Sequence, residues 1–211
     1  MSRLTLMLLA LFFSYGQASA TDILNWVAAW TGSAQGPYPV GNPTVQPELR
    51  FALPSAEQGA SDQTFRLIVR PDIWGKETRL RLSNAFGTRP VTIDGVYAGV
   101  QDSGATLLPG TNRQVLFHGK PELTLPPGES AESDPVTLPF VRTPHDFWLE
   151  GRKLAISFHV VGDSGPMTWH AKALQTSYIS APHSGSHGQD QGEAAFPFST
   201  TSWYFLDAVL M

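Results

Sequence analysis

The sequence predicts an all-β fold, an antiparallel β-sandwich. Its 17 prolines and 19 glycines are spread at short intervals, which leaves few stretches long enough for a helix. Between them lie short runs in which apolar and polar residues alternate, as in strands that bury one face. Strands that recur at such spacing, with turn residues between them, indicate a sandwich or a barrel rather than alternating strands and helices. The pattern by itself leaves both architectures open.

The clearest pair of alternating runs spans residues 63–88 and predicts a β-hairpin. The residues that share the two apolar faces are Phe65, Leu67 and Val69 in the first run and Thr78, Leu80 and Leu82 in the second. The opposite faces carry Arg66 and other polar residues, as in an antiparallel sheet with one face in water. Gly75, after Trp74, supplies the turn. We therefore expect the two runs to pair with each other.

Seven further runs predict strands along the rest of the chain. They are residues 90–100, 114–117, 122–125, 135–140, 153–161, 172–180 and 202–209. The segment 31–59 is predicted to be an extended surface loop, because prolines at its density interrupt strand pairing.

Two blocks of the predicted hairpin, residues 63–70 and 79–88, resemble the N-terminal β-sandwich domain found ahead of the catalytic domain in one branch of the secreted SGNH (GDSL-type) esterases. Further segments that fit the family are 26–30, 115–119, 133–136, 154–158, 168–171 and 202–206. The resemblance implies a jelly-roll-like sandwich without catalytic machinery, the front part of a truncated or split carbohydrate-ester hydrolase. On this interpretation the apolar residues near the C-terminus form an unmatched face.

The N-terminus has the features of a secretory signal peptide. Arg3 precedes an apolar run, residues 4–13, that is too short to cross a bilayer, and Ala18-Ser-Ala20 offers small residues for cleavage. We expect a signal peptide at 1–20 and a secreted or periplasmic domain at 21–211, with an extended strand and loop at 21–62 and the sandwich core at 63–211.

Composition indicates what stabilises the fold and which classes of partner are unsuitable. The chain has no cysteine, so its stability must come from its core rather than from disulfides. A net charge of −4 without a basic run argues against nucleic acid or an anionic membrane as a partner. We expect no cofactor, and either a polysaccharide or a separate SGNH catalytic domain as the partner.

The run Gly162–Pro166 reads Gly-Asp-Ser-Gly-Pro and suggests a serine nucleophile. In SGNH hydrolases a Gly-Asp-Ser block opens a helix, and in chymotrypsin-like proteases the serine lies in Gly-Asp-Ser-Gly-Gly-Pro. Here strand-like sequence follows Pro166, one glycine of the protease run is missing, and no aspartate has a histidine three positions on. We predict a turn between two strands and no catalytic residue, with a hydrolase using Ser164 as an alternative.

Aromatic side chains near predicted turns are candidates for ligand binding, because a flat ring covers the apolar face of a sugar. The predicted ligand-binding residues are Arg70, Trp74, Trp169 and His170, and the predicted domain-docking residues are Trp203, Tyr204 and Phe205. Core packing is the alternative for the rings, and we assign Trp26, Trp30 and Phe65 to the core. A free-standing carbohydrate-binding module is the alternative function.

The histidines suggest little by themselves. His183 and His187 lie in a glycine-rich segment, 182–197, without a third ligand at a recognisable spacing, so we predict a solvated, mobile loop and no metal site. His159 is predicted to be a partly solvated sheet residue, and no acidic neighbour can be assigned to it from sequence.

Overall fold

The computed structural model describes residues 25–38, 49–143 and 145–211. The predicted signal peptide and residues 39–48 of the predicted surface loop lie outside these ranges. Within the described ranges the chain forms sixteen strands and one short 3₁₀ helix, Phe147–Leu149. The strands are β1 (Ala28–Thr31), β2 (Gln35–Tyr38), β3 (Ser61–Val69), β4 (Glu77–Ser83), β5 (Val91–Ser103), β6 (Thr106–Leu107), β7 (Arg113–Gln114), β8 (Glu122–Leu125), β9 (Ser130–Glu132), β10 (Val136–Thr137), β11 (Leu154–Asp163), β12 (Met167–His170), β13 (Ser177–Ile179), β14 (Phe198–Thr200), β15 (Trp203–Tyr204) and β16 (Leu206–Leu210).

These strands form three antiparallel sheets. The first has the order β1-β16-β4-β10, with β9 also paired to β4. The second has the order β14-β13-β3-β11-β5-β6, with β7 and β8 also paired to β5, and the third has the order β15-β12-β2. The sheets curl into a half-barrel, and the predicted all-β, antiparallel sandwich class is confirmed.

One hydrophobic core fills the space between the two larger sheets. Phe65 and Phe158, from neighbouring strands of the eight-stranded sheet, stack with their ring centroids 5.6 Å apart. Leu80 and Leu82 meet this layer from the five-stranded sheet, and all four side chains are inaccessible to solvent. Burying a side chain of this size contributes about 1.5–3 kcal/mol, so the core is the main source of stability.

The predicted hairpin is wrong, although its apolar faces are right. β3 pairs with β11 and β13, whereas β4 pairs with β16, β9 and β10 in the other sheet. The segment between Val69 and Glu77 therefore crosses from one sheet to the other. Both apolar faces still point into the core, from opposite sides, because alternation encodes the buried face of a strand and not its pairing partner.

The outer face of β3 is also buried, which contradicts the predicted exposure of Arg66. The Arg66 guanidinium donates hydrogen bonds to Ser157 Oγ at 2.8 Å, to the Ala105 carbonyl oxygen at 2.6 Å and to the Asp190 carbonyl oxygen at 2.5 Å. The Phe196 ring centroid lies 4.2 Å from its Cζ. Burial lowers the pKa of Arg66 to about 10, and the Asp190 carboxylate opposes that shift.

Arg66 thereby fixes the segment 182–197, which was predicted to be a solvated loop. The segment lies against the eight-stranded sheet, where Phe196 is buried and Arg66 bonds the carbonyl group of Asp190. Thr64 adds to this attachment, because its hydroxyl donates to the Gly185 carbonyl oxygen at 2.8 Å and accepts from the His187 amide at 2.9 Å. The segment therefore covers the face of the eight-stranded sheet that points away from the core.

One part of the predicted surface loop is a strand. Gln35–Tyr38 forms β2, which pairs with β12 at the edge of the three-stranded sheet. Pro37 is compatible with this position, because one side of an edge strand pairs with no neighbouring strand. The backbone N–H that proline lacks is not needed for a hydrogen bond on that side. Proline content alone therefore misassigned this segment.

Within residues 25–38, 49–143 and 145–211, no helix combines the length and the apolar character needed to cross a bilayer.

Replacing Arg66 with lysine is expected to destabilise the fold. Arg66→Lys keeps the charge but cannot reach Ser157, Ala105 and Asp190 together, so buried acceptors lose their donor at a cost of roughly 1–3 kcal/mol. Urea denaturation measures the loss, and hydrogen exchange should show faster exchange of amides in 182–197. Arg142→Lys, at an exposed position, is the matched control and should leave both unchanged. Equal stability of the two variants would contradict the assigned role.

Candidate functional site

A cleft of about 900 Å³ opens where the chain crosses from β3 to β4. The crossing segment 70–75 forms one wall, and residues 145–147 and 149–151, around the 3₁₀ helix, form the other. Met211 also lines the cleft, and its Sδ accepts a hydrogen bond from the Gly75 amide at 3.1 Å. The site is thus built from three segments that are far apart in sequence.

The cleft presents an exposed aromatic ring. Phe147, in the 3₁₀ helix, is 85% exposed, and Ile73 on the opposite wall is 43% exposed. Trp74 also lines the cleft, but it is only 7% exposed and packs edge-on against Phe140 with the centroids 6.3 Å apart. Trp74 was predicted to contact a ligand directly, and the structure makes it a buried wall residue instead. Phe147 is among the aromatic residues near predicted turns, but the sequence gives no reason to single it out.

Polar side chains line the same cleft without partners. Arg70, Asp72 and Glu150 are exposed, and their side chains form no hydrogen bond or ion pair with any other described residue. Asp146 is half-buried, and its Oδ2 is inaccessible to solvent and has no hydrogen-bond partner among the described residues. Buried polar atoms are normally satisfied, so the Asp146 oxygen is an exception within the protein. The hydrogen-bonding groups that a ligand can reach are those of the three exposed side chains.

A smaller cleft of about 160 Å³ adjoins the first. It shares Gly75 and Met211 with the larger cleft, and Trp26 and Lys76 are among its lining residues. Trp26 was assigned to the core, but it is half-buried and its ring lies beneath the Arg79 guanidinium, 4.8 Å from centroid to Cζ. Trp26 therefore forms part of the accessible wall of the smaller cleft.

The other predicted ligand-binding pair, Trp169 and His170, lies away from the cleft. Trp169 is 2% exposed and packs against the rings of Tyr38 and Tyr204, at centroid distances of 5.1 and 6.3 Å. His170 Nδ1 donates to the Ser33 carbonyl oxygen at 2.7 Å. Trp169 is therefore a core residue rather than a ligand-binding one, and His170 fixes the loop after β1.

The predicted docking residues are mostly buried. Tyr204 is inaccessible to solvent, which raises the pKa of its phenol, and Phe205 is also buried. Trp203 is half-buried, and its Nε1 donates to the Ile68 carbonyl oxygen at 2.9 Å. Of these three residues, Trp203 is the one with side-chain surface that a partner could contact, whereas Tyr204 and Phe205 are covered by the protein itself.

The apolar C-terminal residues also have partners. β16 pairs with β1 on one side and with β4 on the other, and Val209 within it is inaccessible to solvent. The expected unmatched apolar face is therefore not formed by residues 206–210. Their apolar character is explained by their position inside the sheet.

Ser164 is a buried structural residue. It is 2% exposed, and its Oγ accepts a hydrogen bond from the Ala60 amide at 2.9 Å and donates to the Gly165 carbonyl oxygen at 2.8 Å. The facing Gly59 has φ +69°, and a Cβ there would lie 1.9 Å from the Gly165 oxygen. Both hydrogen bonds of the Ser164 hydroxyl stabilise this close contact between the two backbone segments. Among the described residues, no histidine is bonded to the hydroxyl.

The turn predicted at residues 162–166 is shorter than expected, because β11 continues to Asp163 and only residues 164–166 connect it to β12. Gly162 and Gly165 have φ values of +63° and +70°, which suit a sharp change of direction. β12, which begins at Met167, does not return beside β11. It joins β15 and β2 in the third sheet. The motif is therefore a connection between sheets.

His159 has two acidic neighbours that sequence reasoning missed. Its Nδ1 lies 2.7 Å from Asp94 Oδ1, and its Nε2 lies 2.9 Å from Asp62 Oδ1. Asp94 is its cross-strand neighbour on β5, and Asp62 lies on β3, so the side chain ties three strands together. A general base needs one ring nitrogen free to take a proton, and here a carboxylate bonds each nitrogen. Only the strand pairing, which alternation does not reveal, brings these residues together.

His187 is engaged in a comparable way. Its Nδ1 lies 2.9 Å from Asp190 Oδ2 and its Nε2 lies 3.0 Å from the Ser184 carbonyl oxygen. Across residues 25–38, 49–143 and 145–211, no group of three or more histidine, cysteine, aspartate or glutamate side chains is placed to hold a metal ion.

Comparison with known proteins adds no family assignment. The sequence matches no family model, and no curated protein is significantly similar to it. The resemblance to the accessory domain of SGNH esterases therefore stays a prediction.

Replacing Ser164 with alanine is expected to lower stability without affecting ester hydrolysis. Ser164→Ala leaves the buried Ala60 amide without its acceptor, at a cost of about 1–3 kcal/mol. Urea denaturation measures the cost, and Ser199→Ala, at an exposed position of β14, is the control. A p-nitrophenyl acetate assay should give the same rate for wild type and variant. Hydrolysis that disappears with Ser164 would show that the serine is a nucleophile.

Proposed function

We propose that this chain is a non-catalytic β-sandwich domain that binds a polysaccharide in the cleft between segments 70–75 and 145–151. We further propose that it is the accessory domain of a secreted SGNH-type carbohydrate-ester hydrolase. The observation that carries the binding function is the exposed ring of Phe147 at a cleft of about 900 Å³ whose other side chains include unpartnered polar groups. The relation to an esterase is supported by the sequence resemblance alone.

The chemistry of the cleft suits a carbohydrate. The ring of Phe147 and the side chain of Ile73 offer apolar surface to the C–H face of a pyranose. Arg70 is a donor, while Asp72 and Glu150 are acceptors, so sugar hydroxyls find both kinds of partner. Ligand sites typically combine an apolar wall with a few such polar groups, in volumes of about 300–1,000 Å³.

The adjoining cleft favours a polymer over a single sugar. The two clefts share Gly75 and Met211, so a chain that leaves the larger cleft passes along the half-buried ring of Trp26. A second aromatic surface beside the first supports binding of successive sugar residues. Catalysis by Ser164 receives no such support, because its hydroxyl is buried and bonded on both sides.

Removing the Phe147 ring is expected to weaken binding. Phe147→Ala should lower the affinity for a soluble polysaccharide by roughly 1–2 kcal/mol, which is about 5- to 30-fold in Kd. Affinity electrophoresis in acetylated xylan, pectin and chitosan measures it. Leu174→Ala removes an equally exposed apolar side chain outside the cleft and is the control. Retention by none of the polymers, or equal retention of both variants, would contradict the proposal.

The proposal that this chain is the accessory domain of an SGNH-type esterase is tested separately from the binding proposal. The nucleotide sequence after the Met211 codon should encode a Gly-Asp-Ser block and, later, an Asp-x-x-His block. Non-coding sequence at that place would count against the relation and would leave the binding proposal standing.

A further inference from the structure

Phe140 lies behind the larger cleft and contacts an aromatic ring from each of its walls. The Trp74 ring, from segment 70–75, packs edge-on against the Phe140 ring with the centroids 6.3 Å apart. The Trp148 ring, from the 3₁₀ helix in the opposite wall, packs edge-on against the same Phe140 ring with the centroids 6.1 Å apart. Phe140 is not one of the described residues that line the cleft. It therefore touches both walls without being placed to touch a ligand between them.

The wall formed by segment 145–151 is attached to the protein through Leu149 and Trp148. Leu149 is buried in the core. Trp148 packs against Phe140, and Arg152 holds it there, because the Arg152 Cζ lies 5.1 Å from the Trp148 ring centroid and the Arg152 Nε donates to the Trp148 carbonyl oxygen at 2.7 Å. Phe147 belongs to the same short helix. The placement of its exposed ring therefore depends on both attachments.

Phe140 is itself tied to the wall formed by segment 70–75. The Leu138 amide donates to the carbonyl oxygen of Lys76, the residue that follows this wall, at 2.7 Å. No hydrogen bond between described residues joins segment 70–75 directly to segment 145–151. Side-chain packing therefore sets the separation of the walls. Edge-to-face aromatic pairs hold their centroids about 4.5–7 Å apart, so the Phe140 ring acts as the spacer between Trp74 and Trp148.

We propose that Phe140 is a positioning residue of the cleft, which sets the distance between the two walls and, with it, the placement of the Phe147 ring. The inference deepens the proposed function, on which its effect on binding rests. Without the Phe140 ring, Trp74 and Trp148 lose their common partner, and the walls change their separation more easily. A ligand must then order the walls when it binds, and ordering a segment on binding lowers the affinity.

The test combines hydrogen exchange of the free protein with affinity electrophoresis in acetylated xylan, pectin and chitosan. Phe140→Leu removes the ring and keeps an apolar side chain. The amides of 70–75 and 145–151 should exchange about tenfold faster in this variant. Its Kd for a polymer that retains the wild type should rise about fivefold. Phe140→Tyr keeps the ring and should restore both the exchange rates and the affinity.

Phe198→Leu is the matched control, because Phe198 is also half-buried against the same core but lies on β14, outside the cleft. It should leave the exchange of both walls and the Kd unchanged. Urea denaturation measures the global stability that Phe140→Leu and Phe198→Leu each lose.

A double variant separates positioning from general destabilisation. If Phe140 acts by placing Phe147, Phe140→Leu combined with Phe147→Ala should bind no more weakly than Phe147→Ala alone, because the effects of coupled residues do not add.

The outcomes distinguish this inference from the function on which it rests. The inference is overturned, and polysaccharide binding stands, if Phe140→Leu leaves exchange in the walls unchanged or accelerates it equally throughout the protein. Losses of affinity that add in the double variant overturn it as well. If none of the polymers retains the wild type, the proposed function fails, and faster exchange confined to the two walls would still show that Phe140 positions them.

Discussion

Between Val69 and Glu77 the chain leaves the eight-stranded sheet and enters the five-stranded sheet, and the rest of the structure depends on this crossing. It allows the apolar faces of β3 and β4 to meet across one core instead of lying side by side in one sheet. It also buries Trp74 against Phe140 at the end of the sandwich. The polar residues of the crossing then face segment 145–151, which forms the cleft.

The residues that look most reactive in the sequence are used by the fold. Ser164 holds two loops in close contact, His159 bridges Asp62 and Asp94, and Arg66 attaches a long segment to the outer face of the sheet. Each is buried, and burial requires that its hydrogen-bonding groups be satisfied. Their chemistry is therefore committed to structure.

In the cleft, by contrast, polar side chains have no hydrogen-bond or ion-pair partner within the described part of the protein. Arg70, Asp72 and Glu150 line the same cleft without forming ion pairs among the described residues, although charges of both signs are present. The exposed ring of Phe147 is equally unusual for a protein whose other large aromatic side chains are mostly covered. A surface that leaves both polar and apolar groups unsatisfied is typical of a binding site.

The sequence by itself determined the all-β class, the buried faces of β3 and β4 and the turn around Ser164, because alternation and turn residues act over a few positions. It singled out Arg70 and Trp74, which both line the cleft, but it did not indicate that Trp74 is buried or that Phe147 is the exposed ring there. It could not locate the partners of His159 or the acceptors of Arg66.

Those features were decided by the tertiary structure, because they depend on which strands pair. Asp62, Asp94 and His159 come from three strands, and the cleft joins residues 70–75, 145–151 and Met211. Which strands pair with each other depends on how whole sheets pack over one core. Period-two alternation marks the buried face of a strand but does not distinguish one pairing partner from another. Local sequence therefore indicated several strands and the side of each that faces the core, whereas long-range packing decided their order and, with it, the position of the cleft.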